Sequence, residues 1–132
     1  MASKKITFDP DAGASYAANF NMLGGANFIA NFEVVGTSGT AFDFTGYSGS
    51  SQMTKSVSIG STGYPAATFN VGFTSAAGGR LQVSLAGTDT KTISEGRYVY
   101  DVVVSSGNTY YRIVDGTIQF NQVFHQSPHY KY

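Results

Sequence analysis

The sequence predicts a single all-β domain of the sandwich or barrel type. Apolar and polar side chains alternate with a period of two along most of the chain, glycine-bearing turns separate these segments, and helical periodicity is nearly absent. The composition agrees, because 16 glycines, 10 phenylalanines and 9 tyrosines accompany only 3 prolines. The 132 residues include no cysteine, and a chain of this length can bury a core without disulfides.

The first half of the chain contains three candidate strands. Residues 16–22 and 27–35 each place apolar side chains at every second position, and a pair of glycines separates them. Residues 45–47 (Thr-Gly-Tyr) are expected to form a corner at which the chain crosses between sheets. A polar strand is expected at 50–58, with Met53 as its clearest apolar anchor.

A β-hairpin is predicted in the middle of the chain. Residues 67–74 and 80–86 both alternate, and Gly78-Gly79 joins them. The segment 88–93 that follows is the only helical candidate, and it resembles a capped turn more than a helix.

The strongest strand is predicted at 97–105. Its interior is nearly continuous in β-forming residues, which is typical of a central strand buried on both sides. A turn leads back into a strand at 109–114, and Asp115-Gly116 is expected to interrupt the chain before a last strand at 117–124.

The two ends of the chain are predicted to be extended arms around a sandwich at 15–124. Residues 1–14 carry an isolated apolar pair, and 125–132 are polar and aromatic without alternation. We therefore expect the contacts with partners to come from both ends of the domain, at Ile6, Phe8, Phe124, His125, His129, Tyr130 and Tyr132. Met1 leads us to expect a complete gene product.

The charge balance argues against several functional classes. Eight basic and eight acidic residues cancel, and charged residues make up only 12% of the chain. Such a chain builds no field to attract nucleic acid or a membrane surface, and no apolar stretch approaches the roughly 18 residues of a membrane helix. Net charge near zero favours association, so we expect a homo-oligomer.

No constellation of residues indicates catalysis, a cofactor or a metal. His125 and His129 have the spacing of helical zinc ligands, but Pro128 disfavours a helix and no further ligands are evident. Asp101, in the strongest strand, is expected to form a structural ion pair with Arg97 or Arg112 on adjacent strands. The sequence thus predicts a protein that is not an enzyme.

One motif is more specific about the fold. The segment Gly96-Arg-Tyr-Val-Tyr100 has the pattern that opens a late strand in immunoglobulin-like sandwiches. Tyr98 is expected to hydrogen-bond back to the preceding corner, and Tyr100 to take the neighbouring core position. The predicted fold is therefore an immunoglobulin-like antiparallel β-sandwich with extended terminal arms.

The order of motifs from Gly25 onward resembles a domain of virion structural proteins in tailed bacteriophages, including those of cyanobacteria. The motifs that carry the resemblance are Gly25-Ala-Asn-Phe28, Phe42-Asp-Phe-Thr-Gly-Tyr47, Gln52-Met53 with Lys55, Ala67-Thr-Phe69, Gly79-Arg-Leu-Gln-Val-Ser-Leu85, Gly96-Arg-Tyr-Val-Tyr-Asp-Val102 and Arg112-Ile-Val-Asp-Gly-Thr-Ile118. The sequence is similar to the N-terminal domain of upper-baseplate proteins, an immunoglobulin-like sandwich that docks other tail components.

This resemblance implies a non-enzymatic virion protein, assembled in the host cytoplasm, that acts as an accessory subunit or adaptor on the tail, baseplate or neck. Its partners would be other tail, neck or capsid proteins and further copies of itself. Two alternatives stay open. The first is a decoration protein on the capsid surface. The second is a carbohydrate-binding module with weak glycan affinity, its sugar platform formed by Tyr47, Tyr64 and either Tyr110 or Tyr111.

Overall fold

The computed structural model describes residues 3–9, 15–55 and 67–121. This part of the chain is nearly all β, as the sequence predicts. The strands are β1 Ser3–Thr7, β2 Tyr16–Ala17, β3 Phe20–Leu23, β4 Phe28–Val35, β5 Ser48–Lys55, β6 Ala67–Ser75, β7 Arg80–Leu85, β8 Gly96–Ser106 and β9 Thr109–Asn121. A four-residue helix, α1, occupies Gly87–Thr90.

The strands form a barrel-like sheet that is nearly closed. Their order is β1-β4-β7-β6-β5-β8-β9-β2, and β3 also pairs with β9. Because β6 pairs with both β5 and β7, the hydrogen bonding does not divide the strands into two separate sheets, and the immunoglobulin-like division stays a prediction. The arrangement is also not purely antiparallel, since β1 runs parallel to β4, and β2 and β3 run parallel to β9.

The core fills the space enclosed by this sheet. Its largest fully buried side chains include Phe32, Phe44 and Phe120, one from each of three separate parts of the chain. Tyr47, in the predicted corner, packs edge-on against Phe44 with ring centroids 5.8 Å apart. The corner is a turn in which the Asp43 carboxylate accepts hydrogen bonds from the Thr45 hydroxyl and backbone N–H, which lower the pKa of Asp43.

Strand β1 corrects the prediction of an N-terminal arm. Ile6 and Phe8 are 1% and 2% exposed, so they belong to the core and do not form an exposed contact. The reason is the parallel pairing with β4, which places Ile6 beside Val34 and turns both apolar side chains inward. The remaining residues of the predicted arm, 1–2 and 10–14, lie outside the described part of the chain.

Strand β8 corrects a second prediction, that the strand is buried on both sides. Only the inward face, which includes Tyr98, Tyr100 and Val102, is buried. On the opposite face Val99 is 40% exposed, because no second layer of the described chain covers the outside of β5, β8 and β9. Its β-branched residues therefore reflect strand propensity and not two-sided burial.

The predicted interruption at Asp115-Gly116 does not exist, because β9 runs through both residues. The break lies instead in the neighbouring segment, which leaves the sheet at Ala18 and Asn19, between β2 and β3. The Asn19 side-chain oxygen accepts hydrogen bonds from Thr117 across this break. A Cβ on Gly116 would overlap the carbonyl oxygen of Ala18, so the glycine is required by a close approach between neighbouring chain segments.

Candidate docking surface

The two ends of the sheet leave backbone groups without partners in the described part of the chain. At one end, the N–H of Phe8 donates to Val35. Because backbone groups alternate sides along a strand, those of Lys5 and Thr7 point away from β4. At the other end, the N–H of Gly24 donates to Asn121, so the backbone groups of Asn21 and Leu23 point away from β9, and the Leu23 carbonyl oxygen accepts from the N–H of Ala26 at 3.3 Å. These free edges are the surfaces on which a further strand could pair.

The two edges differ sharply in charge. Strand β1 carries Lys4 and Lys5, and lysine on an edge is a common protection against unwanted strand pairing. The β2–β3 edge carries no charged residue, and none occurs anywhere from position 12 to position 32. The Lys4 ammonium lies 5.8 Å from the centre of the Phe20 ring, so the lysine of one edge partly covers an aromatic residue of the other.

Exposed apolar side chains are also found on the uncharged edge. Leu23 is 52% exposed and Tyr16 is 38% exposed, and both belong to β2 or β3. The β2–β3 edge, which we define as Tyr16–Ala17 and Phe20–Leu23, therefore combines outward-facing backbone groups and apolar side chains with no charged residue of its own, and the nearest described charge is the Lys4 ammonium beside Phe20. Of the other large exposed apolar residues, Val99 lies on β8 between two paired strands, whereas Ile29 and Tyr110 lie on parts of β4 and β9 beyond the residues that pair with β1 and β2.

A second surface lies on the outside of β5, β8 and β9. The Arg112 guanidinium contacts the Asp101 carboxylate at 3.2 Å, so Arg112 is the partner among the two arginines that the sequence offered for Asp101. Asp115 lies directly opposite Asp101 on the neighbouring strand, so two like charges share this face. Together with Gln52 and Thr117 these residues line a shallow depression of about 480 Å³.

The residues of the predicted structural corner have the expected arrangement. The Tyr98 hydroxyl donates to the carbonyl oxygen of Ser94 at 2.6 Å, which fixes the start of β8 to the turn before it. The Tyr100 hydroxyl donates to the carbonyl oxygen of Ala18 at 2.6 Å and so satisfies a buried acceptor at the break between β2 and β3. Gly96, the third residue of the predicted corner, has a φ of 153° and lies beside the Lys55 side chain.

Burial raises the pKa of both tyrosines, and the charge of Asp115 raises that of Tyr100 further. Both hydroxyls therefore stay protonated as donors at neutral pH.

The remaining residues predicted as partner contacts lie outside the described part of the chain. They are Phe124, His125, His129, Tyr130 and Tyr132. Sequence reasoning missed the β2–β3 edge, because periodicity does not say which strands end a sheet. The charge-free stretch from 12 to 32 is the signal that could have indicated it.

Of the tyrosines in the predicted sugar platform, the structure brings Tyr47 and Tyr111 together. Tyr47 and Tyr111 stack on each other, with ring centroids 6.4 Å apart, within an aromatic cluster that includes Phe8 and Phe42. Tyr110, the adjacent residue of β9, points to the opposite face and is 70% exposed. Tyr64 lies outside the described residues.

Over residues 3–9, 15–55 and 67–121, no group of three or more acidic, histidine or cysteine side chains is placed to hold a metal ion. Within the same ranges no helix is long and apolar enough to cross a membrane.

Comparison with known proteins gives structural likeness without sequence relationship. No family model matches the chain, and no curated protein matches it. The fold is similar to the N-terminal domain of phage TP901-1 ORF48, with a TM-score of 0.46 and 11% identity over 94% of this chain and all of that domain. It is also similar to part of a family 123 glycoside hydrolase from Clostridium perfringens, with a TM-score of 0.40 and 9% identity over 84% of this chain and 24% of the hydrolase. At these scores the likenesses carry no argument about function, which must come from the residues of this chain.

Proposed function

We propose that this chain is a non-enzymatic structural protein of a phage virion, an accessory subunit or adaptor on the tail, baseplate or neck. The order of motifs from Gly25 to Ile118 supports the assignment to phage virions. The observation that carries the docking role is the β2–β3 edge, which offers a partner outward-facing backbone groups and exposed apolar side chains and carries no charged residue of its own.

The sequence supports this role by its lack of charge. A monomer in solution is kept apart from its neighbours by net charge, whereas this chain has a formal net charge of zero. A surface with so little net charge suits a subunit that is permanently packed against other proteins. The site of action in this proposal is the virion, after assembly in the host cytoplasm.

The C-terminal residues 125–132 remain part of the proposal as a contact arm, with Tyr130 and Tyr132 as amphipathic anchors. The N-terminal residues are not proposed as a contact arm, because their removal would delete the core residues Ile6 and Phe8. The matched test is therefore a chain that ends at Phe124, compared with the full chain. It retains all of β9.

The experiment is cosedimentation of each purified protein with intact particles through a density gradient. The proposal expects saturable binding of the full chain, and the arm role expects at least about tenfold weaker binding of the shortened chain. Equal binding by both proteins would remove the arm from the proposal. No binding by either protein would contradict the virion role itself.

Capsid decoration is the first alternative, and it differs in copy number. A decoration protein would saturate in proportion to the capsid protein, at hundreds of copies, whereas a tail or neck subunit would saturate at a few tens or fewer. The same gradient experiment separates the two roles, provided that bound protein is quantified against the major capsid protein.

Carbohydrate binding is the second alternative. For this function the depression on β5, β8 and β9 is a better candidate site than the tyrosine platform predicted from the sequence. Polar side chains of Gln52, Asp101 and Asp115 line it, and Tyr110 projects from the same face of β9 as Arg112. A glycan array tests this function. Hits that disappear in a Tyr110→Ala variant would support it, and a blank array would exclude it.

A further inference from the structure

The turn between β3 and β4 is held by a residue that lies 65 positions later in the chain. Thr90, the last residue of α1, is fully buried. Its hydroxyl oxygen accepts the N–H of Gly25 at 2.9 Å. The same hydroxyl has two carbonyl acceptors within reach, that of Ala26 at 2.9 Å and that of Gly87 at 3.1 Å. One side chain therefore binds both the turn and α1.

Two further contacts at Gly87 complete this arrangement, which we call the Thr90 clasp. The Gly87 N–H donates to the Asn27 side-chain oxygen at 2.7 Å. A Cβ on Gly87 would lie 2.7 Å from the carbonyl oxygen of Gly25, so only a glycine allows α1 to approach the turn this closely. A helix of four residues is too short to be stable by itself, so α1 depends on these contacts as much as the turn does.

The clasp lies directly beyond the end of the β2–β3 edge. Gly24, the first residue of the turn, donates its N–H to Asn121 and so ends the pairing of β3 with β9. Ala26, which is bonded to Thr90, also donates its N–H to the carbonyl oxygen of Leu23, the most exposed apolar residue of the edge. The direction in which Leu23 and its outward N–H are presented therefore depends on the position of the turn.

We propose that Thr90 is a positioning residue for docking: its hydroxyl holds the β3–β4 turn, and the turn holds the Leu23 end of the β2–β3 edge in the arrangement that a partner binds. The inference rests on the proposed function, because it requires a partner that binds at this edge. An edge whose end is fixed before binding loses less conformational entropy when the partner binds, which increases affinity. Loss of the hydroxyl would leave the Gly25 N–H and the Ala26 carbonyl without this buried partner and release the turn.

Three variants separate this role from a general effect on stability. Thr90→Val removes the hydroxyl with little change in size, and Thr90→Ser retains it. The matched control is Ser51→Ala, because Ser51 is the other buried serine or threonine in the described part of the chain, and its hydroxyl likewise donates to a backbone carbonyl, that of Asp101, at 2.6 Å. Ser51 lies on β5, which β8 and β9 separate from β3.

The first experiment measures amide hydrogen exchange in the isolated, folded proteins, so it does not need particles. Thr90→Val is expected to speed the exchange of the Gly24 and Gly87 amides at least about tenfold, whereas Thr90→Ser and Ser51→Ala are expected to stay close to the wild type. Unchanged exchange of both amides in Thr90→Val would overturn the proposal, because the turn would then keep its place without the hydroxyl.

A further variant keeps the test decisive if Thr90→Val does not fold. Asn27→Ala removes the other side-chain hydrogen bond of the clasp from an exposed position. It is expected to speed the exchange of Gly24 as well, since the turn loses its second link to α1. Exchange of Gly24 at the wild-type rate in Asn27→Ala would then overturn the proposal.

The second experiment measures the binding of the same variants to intact particles by cosedimentation. Thr90→Val is expected to bind at least about tenfold more weakly than the wild type, and Thr90→Ser is expected to bind like the wild type. Equal binding by the wild type and Thr90→Val, or equal weakening by Thr90→Val and Ser51→Ala, would overturn the positioning role and leave the proposed function standing. A wild-type protein that binds no particles would overturn both.

Discussion

Gly116 lies in β9 at the point where the neighbouring segment leaves the sheet. A Cβ at this position would overlap the carbonyl oxygen of Ala18 and would lie 2.9 Å from the Asn19 side-chain oxygen. The same Ala18 carbonyl accepts the buried hydrogen bond of the Tyr100 hydroxyl. The substitution Gly116→Ala must therefore push the Ala18 backbone away from β9 and disturb that hydrogen bond.

The expected cost has two parts. Forcing an extra methyl group into a filled space costs about 1–3 kcal/mol. Weakening one buried hydrogen bond costs about 1 kcal/mol more. We therefore expect Gly116→Ala to lower the free energy of unfolding by about 2–4 kcal/mol, which corresponds to a fall in Tm of roughly 8–15 °C for a domain of this size.

Urea unfolding followed by circular dichroism measures this difference, and Gly72→Ala in β6 is the matched control. Gly72 has open space within 4 Å of the position where its Cβ would be, so alanine there is expected to be neutral or to stabilise by about 0.5–1 kcal/mol. Equal stabilities of the two variants would show that the Ala18 backbone does not approach β9 as described, and the explanation of the glycine would fail.

Three further predictions concern the corner, the core and pH. Tyr98→Phe is expected to lower the free energy of unfolding by about 1 kcal/mol, because the Ser94 carbonyl loses its donor, and an unchanged urea midpoint would contradict the corner. Ile6→Ala is expected to lower the free energy of unfolding by about 2–5 kcal/mol, whereas Lys5→Ala is expected to change it by no more than about 0.5 kcal/mol. Small effects of both variants in thermal denaturation would show that Ile6 belongs to an exposed arm and not to the core. Because the folded-state pKa of Tyr100 is raised above 10.0, its contribution to stability is fully present below pH 10 and is lost progressively as the pH rises above 10. Urea unfolding at pH 9 and pH 11 should therefore show a smaller alkaline loss in Tyr100→Phe than in the wild type, and parallel losses would contradict the shift.

Much of the fold could be predicted because strand periodicity is a local property. The alternation in 27–35 and 80–86 needs no knowledge of distant residues, and both segments form strands within about a residue of the predicted bounds. The corner hydrogen bond of Tyr98 is equally local, since it spans four residues. These features are decided by neighbours along the chain.

What the sequence could not indicate depends on residues far apart in the chain. Gly116 looks like a turn glycine until Ala18 is seen beside it, almost a hundred residues earlier in the chain. Ile6 looks like part of an arm because a five-residue strand with two lysines has a weak signal, and only the pairing with Val34 shows that it is core. Which strands end the sheet is likewise a property of the whole topology, so the β2–β3 edge could not be recognised from periodicity.

The most direct test of the virion role is quantitative mass spectrometry of particles purified from the source of this sequence. The account predicts that the chain is present in every preparation, at a fixed ratio to the major capsid protein that survives repeated density-gradient purification. If its peptides decrease with each round of purification, or are missing from infectious particles, the chain is not a virion subunit and the central claim is wrong.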